Sequence, residues 1–272
     1  MEQKPKKPIP FFDKAVRREP QKMLRAHFHE KYELYYLEKG KTKYFIENEI
    51  FLLEAGDVIF VPKNTFHKTD NSDHSGAQRV LLTFDDKMAG EDAARYLEIL
   101  ERQKLIRLSP DMQSEIRYIL QKISSEEHTR QPEYAEMHRL YLRQLLILLS
   151  RHASPSPLTP PNATYSFVQQ VATFVSEHCC ESISLASLSQ RFGVSPSYLS
   201  RSFKKLTGVG LNEYINISRI TAAEKLLQSG NLSITEVAFS CGFNDSNYFA
   251  AVFKRVRGVT PKKYALQSKN KI

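Results

Sequence analysis

Cysteine is scarce in this chain, with three residues among 272, two of them adjacent (Cys179, Cys180 and Cys241). That number and spacing exclude a disulfide framework and point to reduced, cytosolic thiols; the adjacent pair reads as helix packing rather than metal ligation. Long apolar runs are also missing. The densest, Leu145 to Leu149, is five residues long, against the roughly 18 needed to span a bilayer. The opening MEQKPKKPIPFFDK is basic but lacks the apolar stretch of a signal peptide, so neither a membrane span nor a leader is expected. No Ser/His/Asp or Cys/His nucleophile arrangement, phosphate loop or zinc-finger spacing occurs. Acidic charge is in deficit, 30 Asp and Glu against 39 Lys and Arg, a net charge of +9. What is present is globular: 41% hydrophobic and 25% charged residues exclude a disordered or collagen-like chain. The length suits two domains.

The basic surplus is unevenly placed. Residues 163–272 carry 13 Lys and Arg against 6 Asp and Glu, residues 26–162 carry 18 against 21, and residues 1–25 carry 8 against 3. The patterning divides at the same places. From Tyr32 to Phe84 short β-branched and aromatic runs (ELYYL, TKYFIE, FLL, DVIFVP, RVLLTF) are broken by polar turns, which predicts a sandwich or barrel. From Lys87 to His152 the period becomes helical. Ile116, Ile119, Leu120 and Ile123 form one stripe, and Met137, Leu140, Tyr141, Gln144, Leu145 and Leu148 another. ASPSPLTPPNAT, 153–164, has prolines at 155, 157, 160 and 161 and reads as a linker. The expected organisation is an arm over 1–20, a barrel over 21–86, a helical dimerisation segment over 87–152, the linker, and an all-helical domain over 165–268.

That last domain contains a repeat. At an offset of 50, Tyr198, Phe203, Lys204, Gly208, Val209 and Tyr214 match Tyr248, Phe253, Lys254, Gly258, Val259 and Tyr264, with Lys205 matching Arg255. At an offset of 49, Ser184, Leu185, Leu188 and Gly193 match Ser233, Ile234, Val237 and Gly242. Each copy reads as helix, glycine turn, helix. Ser184 and Ser195 are the expected caps in the first copy, with Pro196 opening its second helix. Ser233 and Glu236 form a capping box in the second, where Asn244 or Asp245 caps the next helix. Leu211 to Ser229 is one longer helix stopped by Gly230. Helix, tight turn, helix is a unit whose second helix enters the DNA major groove. On the first such helix Leu199, Phe203 and Leu206 form the core stripe, and Ser197, Ser200, Arg201 and Lys204 lie opposite. On the second the outward face is Ser246, Asn247, Ala250, Ala251 and Lys254. A duplicated motif with this basic excess predicts a DNA-binding domain.

The residues GVSPSYLSRSFKKLTG (193–208) and AAEKLLQSGNLSITEVAFSCGFNDSNYFAAVFKRVRGVTPKKY (222–264) resemble the DNA-binding domain of the AraC/XylS transcription regulators over about 100 positions. The resemblance implies two helix-turn-helix units reading successive major grooves, with Arg201 where the family commonly has a base-reading arginine. Base contacts are then expected from Ser197, Ser200, Arg201, Ser246, Asn247, Ala250 and Ala251. Phosphate contacts are expected from Ser195, Lys204, Lys205, Asn244, Lys254 and Arg255. Ala250 and Ala251 depart from the family, as does Ser189, where alanine is common in the first helix; alanines offer contact to thymine methyls in place of hydrogen-bonded guanine readout.

The strand region holds His27, His29, Glu33 and Gly40, and later Gly56, Pro62, Asn64 and His67. This spacing resembles the two cupin motifs, with Asn64 in place of a glycine, and implies a small double-stranded β-barrel. Many AraC-type regulators carry such a barrel ahead of the DNA-binding half. In metal-binding cupins the positions of His27, His29, Glu33 and His67 are ligands, so a divalent transition metal belongs here if the site is filled. No cofactor is otherwise implied. The preferred reading is an effector pocket formed by His27, His29, Glu33, Tyr35, Tyr44, Phe60 and His67, suited to a carbohydrate or related metabolite, although Tyr35, Tyr44 and Phe60 read equally well as core. The arm, with Phe11 and Phe12, reads as a cover for the pocket, a contact to the DNA domain, or a disordered segment. The expected fold class is α+β and multidomain. The expected function is a cytoplasmic, effector-responsive DNA-binding regulator rather than an enzyme. It would act as a homodimer through Leu140, Tyr141, Leu145 and Leu148, with RNA polymerase as partner if it activates. A metal-dependent cupin enzyme or a metal-sensing regulator is the alternative.

Overall fold

The computed structural model describes residues 11–17, 29–70, 76–154 and 163–269. They form two compact units, 11–17 with 29–44, 51–70 and 76–154 in the first, and 45–50 with 163–269 in the second. No helix among the described residues is long and apolar enough to cross a membrane.

Through residue 154 the element order is β1 (Phe12–Arg17), β2 (Tyr32–Lys39), β3 (Lys41–Ile46), β4 (Glu49–Glu54), β5 (Val58–Val61), β6 (His67–Asp70), β7 (Ala77–Phe84), α1 (Asp86–Ala89), a 3-10 turn Glu91–Ala93, α2 (Ala94–Arg102), β8 (Leu105–Ile106), α3 (Pro110–Thr129) and α4 (Tyr134–His152). One sheet has the order β1-β7-β2-β5-β8 and a second the order β4-β3-β6. The five expected strands are present. Three more escaped the pattern because their partners, not their own residues, define them. β6 is the polar HKTD, β8 is two residues pairing with β5 beyond α2, and β1 lies within the stretch read as an arm. Phe12 to Arg17 pair antiparallel with β7, from Phe12 opposite Leu82 to Arg17 opposite Ala77.

Strand β2 organises the first unit because both of its faces are buried. Tyr32, Leu34 and Tyr36 share a core with Val58, Phe60, Val80, Leu82 and Phe84, and with Ile116, Ile119, Leu120 and Ile123 of α3. On the other face Glu33 stands opposite Val61 and Thr83, and Tyr35 opposite Ile59 and Leu81. The α3 stripe is the expected one. The α4 stripe is not: its buried residues are His138, Leu142, Leu145, Leu146, Leu149 and Ser150, whereas Leu140 is 55% exposed. YLRQLLILLS is apolar around most of the helix, so two stripes satisfy the same period. Packing against α2 and α3 selects between them.

From residue 163 every described element is helical: α5 (Ala163–His178), α6 (Leu185–Arg191), α7 (Pro196–Thr207), α8 (Leu211–Ser229), α9 (Ile234–Ser240), α10 (Ser246–Arg257) and α11 (Pro261–Lys269). α5 starts inside the stretch read as linker, and 155–162 lie outside the described residues. Local chemistry sets the boundaries. Ser184 and Ser233 cap α6 and α9 through capping boxes, Ser195 caps α7 with Pro196 behind it, Asp245 caps α10, and Gly230 closes α8 in the left-handed region at φ 70°. Gly242, in the turn after α9, has φ 80°, and a Cβ there would sit 2.7 Å from the Cys180 carbonyl oxygen, so this close approach requires glycine. Leu199, Phe203 and Leu206 form the buried face of α7, and Phe249, Val252 and Phe253 that of α10.

The thiols are free, with Cys179 and Cys241 buried and Cys180 exposed. Burial, together with the neighbouring cysteine thiols, pushes both Cys179 and Cys241 up to about 12. An aromatic disulfide reagent at neutral pH should therefore titrate one thiol per native chain and all three after unfolding. Prompt reaction of two or three thiols in the native protein would contradict this packing.

Candidate DNA interface and effector site

Outward residues of the two expected recognition helices lie where the repeat places them. On α7 Ser197, Arg201, Lys204 and Lys205 are exposed and Ser200 is half-buried; on α10 Asn247, Ala251, Lys254 and Arg255 are exposed, with Ser246 and Ala250 half-buried. Ser195 and Asn244, preceding these helices, are also exposed. The Arg201 Nε donates to the Ser197 carbonyl at 3.2 Å, which lays the guanidinium along the polar face of α7. Ser189, where the family commonly has alanine, is buried, and its hydroxyl donates back to the Leu185 carbonyl at 2.7 Å, so the departure leaves that hydroxyl hydrogen-bonded. Two tyrosines also stand exposed beside these faces. Tyr198 and Tyr248 are 41% and 52% exposed near the starts of α7 and α10, and the Tyr248 hydroxyl accepts from the Asn216 amide of α8 at 3.1 Å. They recur at the repeat's offset of 50.

In the first unit the cupin-type residues converge. His29, Glu33 and His67 place their donor atoms within 4.8 Å of one another. The His29 Nε2 lies 2.6 Å from Glu33 Oε1 and the His67 Nε2 3.5 Å from Glu33 Oε2. The opposite nitrogens face backbone carbonyls: His29 Nδ1 is 2.7 Å from the Lys31 oxygen and His67 Nδ1 2.8 Å from the Thr65 oxygen. A carbonyl only accepts, so each Nδ1 carries hydrogen and each Nε2 is the nitrogen turned toward the Glu33 carboxyl group. Burial works to raise the Glu33 carboxyl, but the His67 and His29 imidazoles outweigh it and hold it well below the usual carboxylate range. For His67, burial works to lower the imidazole and Glu33 outweighs it, so it lies above its usual value.

Tyr44 and Tyr35 complete the cluster. The Tyr44 hydroxyl donates to Glu33 Oε2 at 3.5 Å, its ring lies 6.4 Å from that of His67, and Tyr35 meets it edge to face at 5.1 Å. Asn64 occupies the motif's glycine position at φ 60°, a conformation asparagine tolerates, and its amide donates to the His29 carbonyl at 2.8 Å. The second motif is thereby tied to the first. Phe60 does not belong here. It pairs with Leu34, on the opposite face from Glu33, and stacks 5.6 Å from Tyr32 in the core facing the helices. The period of two decides this: residues opposite Leu34 cannot share the Glu33 face. His27 lies outside the described residues.

The donor set fits a divalent transition metal. Two imidazoles and a carboxylate suit such an ion, and Nδ1 hydrogens anchored on backbone carbonyls leave each Nε2 directed at the shared centre.

A family model for the helix-turn-helix domain matches residues 188–267, and one for the cupin domain matches 16–84. Curated relatives align over most of the chain. The HTH-type transcriptional activator RhaR of Shigella dysenteriae serotype 1 is 25% identical over 248 residues, covering 90% of this chain and 88% of its own. The activator of the same name from Salmonella dublin is 25% identical over 256 residues, covering 91% and 89%. The chain carries an AraC-type helix-turn-helix domain and a cupin domain. These relatives are named as transcriptional activators and not as enzymes, which favours a regulator over the cupin-enzyme alternative. Among solved structures, ToxT from Vibrio cholerae matches 94% of this chain and 98% of its own at 17% identity and a TM-score of 0.38.

Proposed function

We propose that this regulator is a cytoplasmic transcription activator that binds double-stranded DNA through α7 and α10. Its signal is a small-molecule effector, a carbohydrate or related metabolite, held between the two sheets of the barrel. The DNA reading is carried by the duplicated helices, each presenting a polar or cationic face opposite a buried apolar stripe centred on Phe203 or Phe253. On α7 that face includes the one outward arginine able to make paired hydrogen bonds to guanine. Arg201→Ala is expected to weaken binding to the preferred duplex by about 1–3 kcal/mol and to relax its sequence preference. Titration of preferred and substituted duplexes checks this, and unchanged discrimination would show that α7 does not read bases.

The effector reading is supported by the Glu33, His29, His67, Tyr44 and Tyr35 cluster, which offers charged acceptors, hydroxyls and aromatic faces in one place. Glu33, Tyr35, Tyr44 and His67 are each at most 5% exposed. A ligand must therefore favour an opened arrangement of the unit, and that differential affinity is what shifts the regulator between states. A metal held by His29, Glu33 and His67 would supply a Lewis-acid contact to a ligand hydroxyl or carboxylate; this donor set also favours metal sensing as a second reading. Thermal-shift measurement against sugars, each with and without divalent metals, separates the two. Stabilisation by a sugar supports the first and stabilisation by metal alone the second.

The regulator acts as a homodimer in this proposal, with RNA polymerase as the partner of the activating state. Leu145 is in the core, so the dimer face moves to the other side of α4. There Leu140, Gln144, Ile147 and Leu148 line an open groove of about 370 Å³ with Arg143 and Arg151. Leu140→Glu is expected to shift sedimentation toward monomer while leaving the fold intact. An unchanged oligomeric state would remove α4 as the interface.

A further inference from the structure

The two helix-turn-helix units do not offer DNA the same chemistry. In the register of the repeat Ser200 and Arg201 of α7 correspond to Ala250 and Ala251 of α10. The first pair can donate hydrogen bonds to base edges; the second presents only methyl groups. Past the recognition helices the difference runs the other way. Gly208 and Gly258 both close their helices in the left-handed region, and the next helices begin at Leu211 and Pro261. Asn212 and Glu213 of the first unit become Lys262 and Lys263 of the second, all four exposed. The Thr260 hydroxyl accepts from the Lys263 amide at 3.3 Å, so both lysines stand at the capped, positive end of α11.

A third difference lies at the other end of the recognition helices. α7 is capped by neutral Ser195, whereas α10 is capped by Asp245, whose carboxylate accepts from the Tyr248 amide. A carboxylate there cancels the positive potential that draws a phosphate to a helix N-terminus. The acid thus occupies the end of α10 that begins with Ser246 and Asn247. Lys254 and Arg255 lie in its last turn, with Lys262 and Lys263 on the helix that follows.

We infer that the units divide the work. The first reads sequence through Ser197, Ser200 and Arg201; the second keeps only Ser246 and Asn247 for base edges and grips the phosphate backbone more strongly, adding Lys262 and Lys263 to the Lys254 and Arg255 that match Lys204 and Lys205 of the first. Phosphate contacts set position and affinity without carrying sequence, so the target of one chain is a single specified block beside a tolerant one. The inference rests on the DNA-binding reading above.

Selection of the full-length chain on a random duplex library tests it. One recurring block of specified base pairs is expected, with the segment one helical turn away weakly specified. Two unlike blocks of equal information one turn apart would overturn the division of work and leave the DNA-binding reading standing; failure to enrich any duplex would overturn both. On the selected duplex, Lys262→Gln with Lys263→Gln should weaken binding to all sequences alike and reduce the salt slope by about 2, with base preference unchanged. Glutamine keeps helix propensity at two exposed positions, so an unaltered melting curve accompanies the expected result. An unchanged slope, or an altered base preference, would overturn the role given to these lysines.

Discussion

Raising salt from 50 to 200 mM should weaken duplex binding by orders of magnitude. Lys204, Lys205, Lys254 and Arg255 are all exposed at the C-terminal ends of α7 and α10. Each phosphate neutralised contributes about −0.9 to the slope of log affinity against log salt, so four contacts per chain give a loss of about 10²-fold over this range. Six contacts, with Lys262 and Lys263 included, give about 10³-fold. The slope from anisotropy titrations therefore counts contacts as well as testing for them. A near-flat dependence would leave the C-terminal charge as a solvated surface with no role in DNA binding.

Phe203→Ala should be the most damaging substitution in the helical unit. Phe203 is fully buried on the inner face of α7, beside Leu199 and Leu206, with its ring 5.2 Å from that of Tyr214 on α8. Truncation of such a phenylalanine costs about 3–5 kcal/mol, because lost burial is compounded by a cavity that neighbours fill only in part. Domain stabilities are only about 5–15 kcal/mol, so much of the fold's margin goes with it. The melting midpoint of the helical unit is expected to fall by more than about 10 °C, and DNA binding to be lost with the seating of α7. Phe203→Leu, which keeps most of the volume, should fall between the two. A Phe203→Ala protein with a wild-type midpoint would show that α7 is not packed as described.

The helical unit was largely legible because its signals are local. Ser184, Ser195 and Ser233 cap helices within three residues of themselves, Gly230 and Gly242 adopt the positive φ that their turns need, and a repeat checks each assignment against its copy. At the second recognition helix both Asn244 and Asp245 are chemically able to cap, and Asp245 takes the position. The barrel was less legible. The two-residue alternation of β2 does separate Glu33 and Tyr35 from Leu34, but it carries no information about which face looks at the helices. Pocket and core are therefore equally open for Phe60 from its sequence, and the structure places it in the core. α4 is ambiguous in a similar way, since the leucine-rich run from Leu140 to Leu149 satisfies the period with more than one stripe.

By itself the sequence determined the presence of two helix-turn-helix units, their boundaries and the residues they turn outward. Caps, glycine turns and a 3.6-residue period act over a few positions and need no distant partner. Only the tertiary structure decided that residues 12–17 are a strand, that Leu145 is core while Leu140 is surface, and that His29, Glu33 and His67 meet around one carboxylate. Each of those depends on strands or helices far apart in the chain being brought into register, and sheet pairing and helix packing are fixed by the partner surface rather than by the segment alone.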